Sequence, residues 1–242
     1  METGDNVLIG GFIVTGSQPK KVIIRAIGPS LPFADKLANP TLELRDSSGA
    51  LIRSNDNWRS DQEAEIIATG IPPTNDAESA IVETLPANSA RYTAIVRGVN
   101  DETGVGLVEV YDLDGTVDSK LANISTRGLV QTGNNVLIAG MIVLGNAAQR
   151  VIVRAIGPSL NLPGELAIPT LELRDGNGGL IRSNNGWRSD QEAEIIATGI
   201  PPTNDAESAI VETLASGAAY TAILAGAGGG TGIALVEVYG LN

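Results

Sequence analysis

Leu42 to Leu85 reads LELRDSSGALIRSNDNWRSDQEAEIIATGIPPTNDAESAIVETL, and Leu171 to Leu214 reads LELRDGNGGLIRSNNGWRSDQEAEIIATGIPPTNDAESAIVETL. The two stretches are 129 residues apart and differ at five of 44 positions. The match extends outward. Thr3-Gly4-Asp5-Asn6-Val7-Leu8-Ile9 returns as Thr132-Gly133-Asn134-Asn135-Val136-Leu137-Ile138, and Arg25-Ala26-Ile27-Gly28-Pro29-Ser30-Leu31 returns as Arg154 to Leu160. Past Leu85 the second copy is one residue shorter, so Tyr92 aligns with Tyr220. Solenoid repeats are far shorter than this period. A period of this length predicts two tandem domains of one fold, at 1–116 and 129–242, each of a normal size for its own core.

Within one copy the pattern is that of short strands. Asn6 to Val14 is apolar at alternating and intervening positions and predicts a strand covered on both faces. Lys21 to Ile27 predicts a second strand, ended by Gly28-Pro29-Ser30. Thr41 to Arg45 alternates, with Leu42 and Leu44 inward. Asp46-Ser47-Ser48-Gly49 is a turn signal, and Ala50 to Arg53 returns as a hairpin partner. Ser60-Asp61-Gln62-Glu63 has the spacing of a capping box, with Ser60 at the N-cap and Glu63 reaching back. The short helix it would open carries Ile66 and Ile67. It stops at Gly70 and cannot pass Pro72-Pro73. Further strands are expected at Ala80–Leu85, Tyr92–Arg97 and Val105–Leu113. About seven strands and one short helix per copy predict an all-β protein of two jelly-roll-like β-sandwiches. Parallel α/β folds need more helix.

Composition narrows the function. The 242 residues carry 16 Lys+Arg, 28 Asp+Glu and a formal charge of −12. That balance argues against nucleic acid as a partner, because nucleic-acid binding rests on Lys and Arg neutralising phosphates. No apolar run is long enough to cross a bilayer as a helix. The chain has neither His nor Cys. Ser-His-Asp and Cys-His catalysis, Cys/His zinc sites and disulfides are therefore excluded. Carboxylate chemistry and oxygen-ligated cations remain. Asp61, Glu63, Glu65, Asp76 and Glu78 supply carboxylates for a glycosidase-type pair. A full active site in each of two near-identical domains is unusual, and the expectation is that the protein is not an enzyme and holds no cofactor. Calcium is the one cation to consider. Asp46, Asn55, Asp56 and Asp61 form an oxygen-rich set, although Asp56 becomes Asn185 in the second copy and turn formation explains the same residues. Trp58 and Trp187, each beside an Arg, suit either stacking on a glycan or plugging one end of the sandwich. Gly28-Pro29-Ser30 and the Gly226–Gly230 cluster lack a phosphate-loop pattern. Asn123-Ile124-Ser125 matches a glycosylation sequon.

The connector 117–128 occurs once for two domains. Its core, Leu121-Ala122-Asn123-Ile124-Ser125-Thr126, has the content of a strand and not of a flexible linker. Within these 242 residues the segment has no second copy. A sandwich short of one strand exposes unpaired backbone that a neighbour's strand can fill. A head-to-tail contact of that kind that does not close makes a filament. This identifies Leu121 to Thr126 as a candidate assembly strand. The candidate acceptors are Val7, Leu8, Ile9, Phe12, Ile13, Val136, Leu137, Ile138 and Ile142, with the chain itself as the partner. The competing reading is that 119–128 simply completes the second domain and that this sequence is a piece of a longer tandem array.

The run from Pro40 to Asn57, followed by Ala90 to Val96, resembles the bacterial pre-peptidase C-terminal type of domain. The full unit, with RAIGPSL, TGDNVLIGGFIV and LANISTRG, is similar to tandem repeats of large secreted or surface proteins of environmental bacteria. Such sandwiches also resemble subunits of extracellular fibrils that lend a strand between neighbours. The resemblance implies a jelly-roll-like sandwich, an extracellular or cell-surface setting and a structural role in a fibril. The alternative it leaves open is a monomeric adhesin-type spacer or a calcium- or glycan-binding module of a larger secreted protein. It brings no catalytic residues.

Overall fold

The computed structural model describes residues 1–241, and the described chain is all-β, with fifteen strands and two short α-helices. It divides into two compact units, Met1–Ile124 and the remainder from Ser125. The strands of unit 1 are β1 (Leu8–Gly16), β2 (Lys20–Ile27), β3 (Pro40–Arg45), β4 (Leu51–Asp56), β5 (Ser79–Leu85), β6 (Ala90–Gly98) and β7 (Leu107–Asp112). Strand β8 (Ser119–Val130) straddles the boundary between the units. Unit 2 continues with β9 (Leu137–Val143), β10 (Gln149–Ile156), β11 (Pro169–Asp175), β12 (Leu180–Asn184), β13 (Ser208–Leu214), β14 (Ala218–Gly226) and β15 (Gly232–Gly240). Helix α1 (Glu63–Ala68) lies between β4 and β5, and helix α2 (Glu192–Ala197) between β12 and β13.

In unit 1 one sheet has the order β8-β1-β6-β3-β4 and the other β5-β2-β7. In unit 2 the corresponding sheets are β12-β11-β14-β9 and β13-β10-β15-β8. The core of unit 1 lies between its two sheets. It joins Phe12 and Val14 of β1, Val22 and Ile24 of β2, Leu42 and Leu44 of β3, Ile81 of β5 and Tyr92 of β6. Aliphatic side chains dominate, and the Phe12 and Tyr92 rings stack at 5.6 Å where their strands pair.

The sequence expectation of a strand covered on both faces falls on the wrong strand. β1 alternates between buried and half-buried residues, so one face alone is fully buried. β2 is the two-sided strand. Its Val22, Ile24 and Ala26 face the main core, while Ile23 packs with Ala80, Val82, Trp58 and Ile66 under α1. A strand in the middle of a sheet covered on both sides reads as a continuous apolar run, and Val22-Ile23-Ile24 is such a run.

The capping box does not form. Gln62 holds the N-cap position in the left-handed region, at φ 57°, and no side chain caps the helix. Ser60 is already spent, donating its hydroxyl to the carbonyls of Asp56 and Asn57 at 2.9 and 2.7 Å. Glu63 pairs with Arg59 instead. Gln62 docks the helix on the sheet: its amide donates to the Val82 carbonyl at 2.8 Å and accepts from the Val82 N–H at 3.2 Å. Gln191 repeats this with Val211 in unit 2. A left-handed non-glycine residue is costly on its own, and two tertiary hydrogen bonds hold it.

The Gly28-Pro29 turn is needed for close approach. A Cβ on Gly28 would stand 2.2 Å from the Leu37 carbonyl oxygen, and one on Gly157 would stand 2.0 Å from that of Leu166.

Candidate functional site

Three of the four oxygen-bearing residues considered for calcium serve separate local purposes. Asp46 accepts from the Ser48 and Ala50 N–H groups and from the Ser48 hydroxyl, which closes the β3–β4 hairpin. These bonds hold its carboxyl below the usual range. Asn55 lies near the other end of that hairpin and accepts from the Ala80 N–H at 3.0 Å. Asp61 pairs with Arg53 at 3.3 Å. Asp56 is exposed beside Asn55 and Asp61 in a shallow depression that does not include Asp46. Among the described residues no acidic cluster is arranged to hold a metal ion.

The remaining carboxylates are paired for structure. Glu65 meets Lys21 at 2.7 Å, and Arg59 meets Glu63 and Asp76 at 2.5 and 2.6 Å. Glu78 is 0% exposed. Its carboxylate accepts from the N–H groups of Gly28, Ser30 and Asn75 at 3.3, 2.9 and 3.3 Å. It ties the Gly-Pro-Ser turn to the loop before β5. Glu207 repeats the arrangement with Gly157, Ser159 and Asn204. Sequence reading offered Glu78 as one carboxylate of a glycosidase-type pair, because nothing in its neighbours signals burial.

Arg25 of β2 and Glu109 of β7 form a second, half-buried device. The guanidinium donates twice to one Glu109 oxygen and once to the Ile71 carbonyl, while the Tyr111 hydroxyl donates to the other oxygen at 2.9 Å. Burial, then the bond to Glu109, pushes the Tyr111 phenol up. Arg154, Glu237 and Tyr239 form the same group in unit 2. Charge-assisted arginine–carboxylate bonds are among the strong ones, and this one joins residues directly opposite in the β2–β7 pairing.

Lys20 is 0% exposed, 2.8 Å from the Asp112 carboxylate, and donates to the Asp114 carbonyl at 2.6 Å. Unit 2 has Gln149 there, donating to the Leu241 carbonyl at 2.7 Å. Lys20→Gln is therefore expected to cost under about 1 kcal/mol, whereas Lys20→Met, which abandons the carbonyl, costs roughly 1–3 kcal/mol. Urea titration of the two variants checks this ordering.

The tryptophans are buried, but each fills the space under a short helix on the outer face of one sheet and not an end of the sandwich. Trp58 is 2% exposed, packs on Ile23, Ile66, Ala80 and Val82, and donates from Nε1 to the Asn75 carbonyl at 3.1 Å. The Arg59 guanidinium covers the ring at 4.1 Å. Trp187 and Arg188 do the same in unit 2. Neither ring offers a free face to a sugar. Asn123 of the sequon is buried as well.

The candidate assembly strand lies in β8. Leu121 packs against the unit 1 core, Asn123 and Thr126 are buried, and Ala122, Ile124 and Ser125 are half-buried. β8 neighbours β1 in unit 1 and β15 in unit 2. Asp118, just before β8, accepts from the Ser17 N–H at 2.8 Å, so the start of β8 meets the end of β1. The two groups of candidate acceptors differ. Val7, Leu8 and Phe12 are buried, Ile9 and Ile13 are half-buried, and β1 already has β8 and β6 on its two sides. In unit 2, Val136 is half-buried and Leu137 buried, but β9 ends its sheet. Ile138 is 51% and Ile142 62% exposed, and the adjoining Leu144 is 76% exposed. Sequence reading missed Leu144. The signal was present, since the equivalent residue of copy one is the polar Thr15.

Among the described residues no helix is long and apolar enough to cross a membrane. No protein-family model and no curated protein sequence matches the chain. Solved structures that align with it include the major capsid protein P2 of bacteriophage PM2, at 8% identity and a TM-score of 0.27, over 100% of this chain and 94% of that one. A structure of Sulfolobus turreted icosahedral virus aligns at 12% identity and a TM-score of 0.27, over 99% of this chain and 84% of that one. The VP2 subviral particle of infectious bursal disease virus aligns at 8% identity and a TM-score of 0.21, over 99% of this chain and 70% of that one. Scores of this size say nothing about role.

Proposed function

We propose that this protein is a non-catalytic structural building block, which joins further copies of its sandwich into a linear extracellular fibril by β-strand pairing at an open sheet edge. The observation that carries the reading is β9. It ends its sheet, contains no charged residue, and exposes Ile138 and Ile142 with Leu144 beside them. Soluble proteins guard such edges with charge, proline or bulges, because an unguarded edge recruits other strands. The edge strands β4 and β5 differ: β4 carries Arg53 and Asp56, and Glu83 of β5 pairs with Arg53. An edge kept apolar and uncharged is suited to be covered in the assembled state. The setting outside the cell follows from the resemblance to secreted tandem repeats.

The test is sedimentation velocity and electron microscopy of the chain beside the double variant Ile138→Lys, Ile142→Lys. Both side chains point away from the core, so the variant is expected to keep its circular dichroism spectrum. The parent is expected to form linear particles that grow with concentration, and the variant to sediment as a monomer. A parent that stays monomeric across the accessible range overturns the reading.

A further inference from the structure

We infer that β9 and β7 are two acceptor edges for one kind of strand, with the sequence pattern of Ser119–Val130, supplied by a further copy of the repeat. This rests on the assembly reading above and names its partner. The chain contains its own control, because each edge is filled in one unit and open in the other. β1 and β9 are equivalent strands. β1 has β8 on its outer side, and among the described residues no strand pairs with β9 there. With the neighbour present, Ile9 and Ile13 are half-buried, while without it their equivalents Ile138 and Ile142 are exposed.

The same comparison holds for β15 and β7. Val236 and Val238 of β15 are buried where β8 lies alongside. Their equivalents Val108 and Val110 are half-buried in β7, which ends its sheet, and Leu107 is 39% exposed. The two vacancies are complementary. β9 lacks what the first half of β8 gives β1, and β7 lacks what the second half gives β15. Charge agrees with this occupant. Ser119–Val130 carries Lys120 and Arg127 with no acid, and the chain as a whole stands at −12. Opposite net charge favours encounter.

The probe is a capped peptide of sequence SKLANISTRGLV, added in excess to the intact chain and followed by hydrogen-exchange mass spectrometry. The expected result is roughly tenfold slower amide exchange in both Leu107–Asp112 and Leu137–Val143, with β1 and β15 unchanged because they are already paired. A scrambled peptide and an Ile124→Pro peptide are expected to lose the effect. Protection at neither edge or at one alone overturns the inference, as does equal protection by the scrambled peptide. Its failure is separable from that of the assembly reading. A chain that never polymerises but shows peptide protection at both edges sinks the homopolymer and supports the strand assignment. Filaments that the peptide neither protects nor shortens sink the strand assignment and leave the homopolymer standing.

Discussion

Glu78→Ala is expected to destabilise unit 1 by about 3–5 kcal/mol, since it strands three N–H groups that a buried carboxylate had satisfied. The Gly28, Ser30 and Asn75 amides all point at this one side chain. Its own backbone is committed too, with the Glu78 carbonyl accepting from the Trp58 N–H at 2.8 Å. The loss therefore loosens the Gly-Pro-Ser turn, the loop before β5 and the Trp58 plug together. For a unit of this size the cost corresponds to a fall of about 10–20 °C in melting temperature. Differential scanning calorimetry is the measurement. Glu207 keeps the same device in unit 2, so one transition should move and the other stay. Glu78→Gln retains one acceptor oxygen and turns a donor toward the remaining amides, and it should fall between the parent and the alanine variant. A shift below about 1 kcal/mol for Glu78→Ala would show that water takes over the three amides.

Trp58→Ala carries the second large expected effect, about 3–5 kcal/mol, from an aromatic side chain removed from a packed cluster. The plug fills the space between α1 and the outer face of the β5-β2-β7 sheet, where Ile23 and Ile66 are fully buried. The loss also leaves the Asn75 carbonyl without its indole donor. Trp58→Phe keeps most of the packing and gives up the hydrogen bond, for roughly 1–2 kcal/mol. The chain has two tryptophans, one in each unit. Trp58→Phe thus leaves Trp187 as the sole indole reporter of unit 2, while urea unfolding followed by circular dichroism reads both units. Equal stability of the alanine and phenylalanine variants would mean that the cavity refills.

The all-β class was legible from strand-period alternation and turn signals, and the Leu42–Leu85 repeat marked the shared helix and loops. Residues that act through distant partners were not legible. Glu78, Arg25 and Lys20 look like surface charges in one dimension, and topology alone brings Gly28 to Glu78 or Arg25 to Glu109. The capping-box motif at Ser60 misled because a competing local bond, to Asp56 and Asn57, took the hydroxyl first. β1 and β2 exchanged roles because periodicity reports how apolar a strand is, not which sheet has a helix on its back. At the candidate site, the strand character of Leu121 to Thr126 was readable, but which edges stay open was not. That distinction appears only when β9 is set beside β1, and β7 beside β15.

The pairing of β2 with β5 has a kinetic side. β5 and β13 share the sequence SAIVETL, and β2 and β10 differ little. Seven matched positions join β2 to β5, and the same number join β10 to β13. Each inner strand thus has two partners of nearly equal fit in one molecule. During synthesis the first pair completes before its rival leaves the ribosome, so order of emergence selects the right match. A chain diluted from denaturant meets both partners at once, and exchange of β5 with β13 becomes its characteristic error.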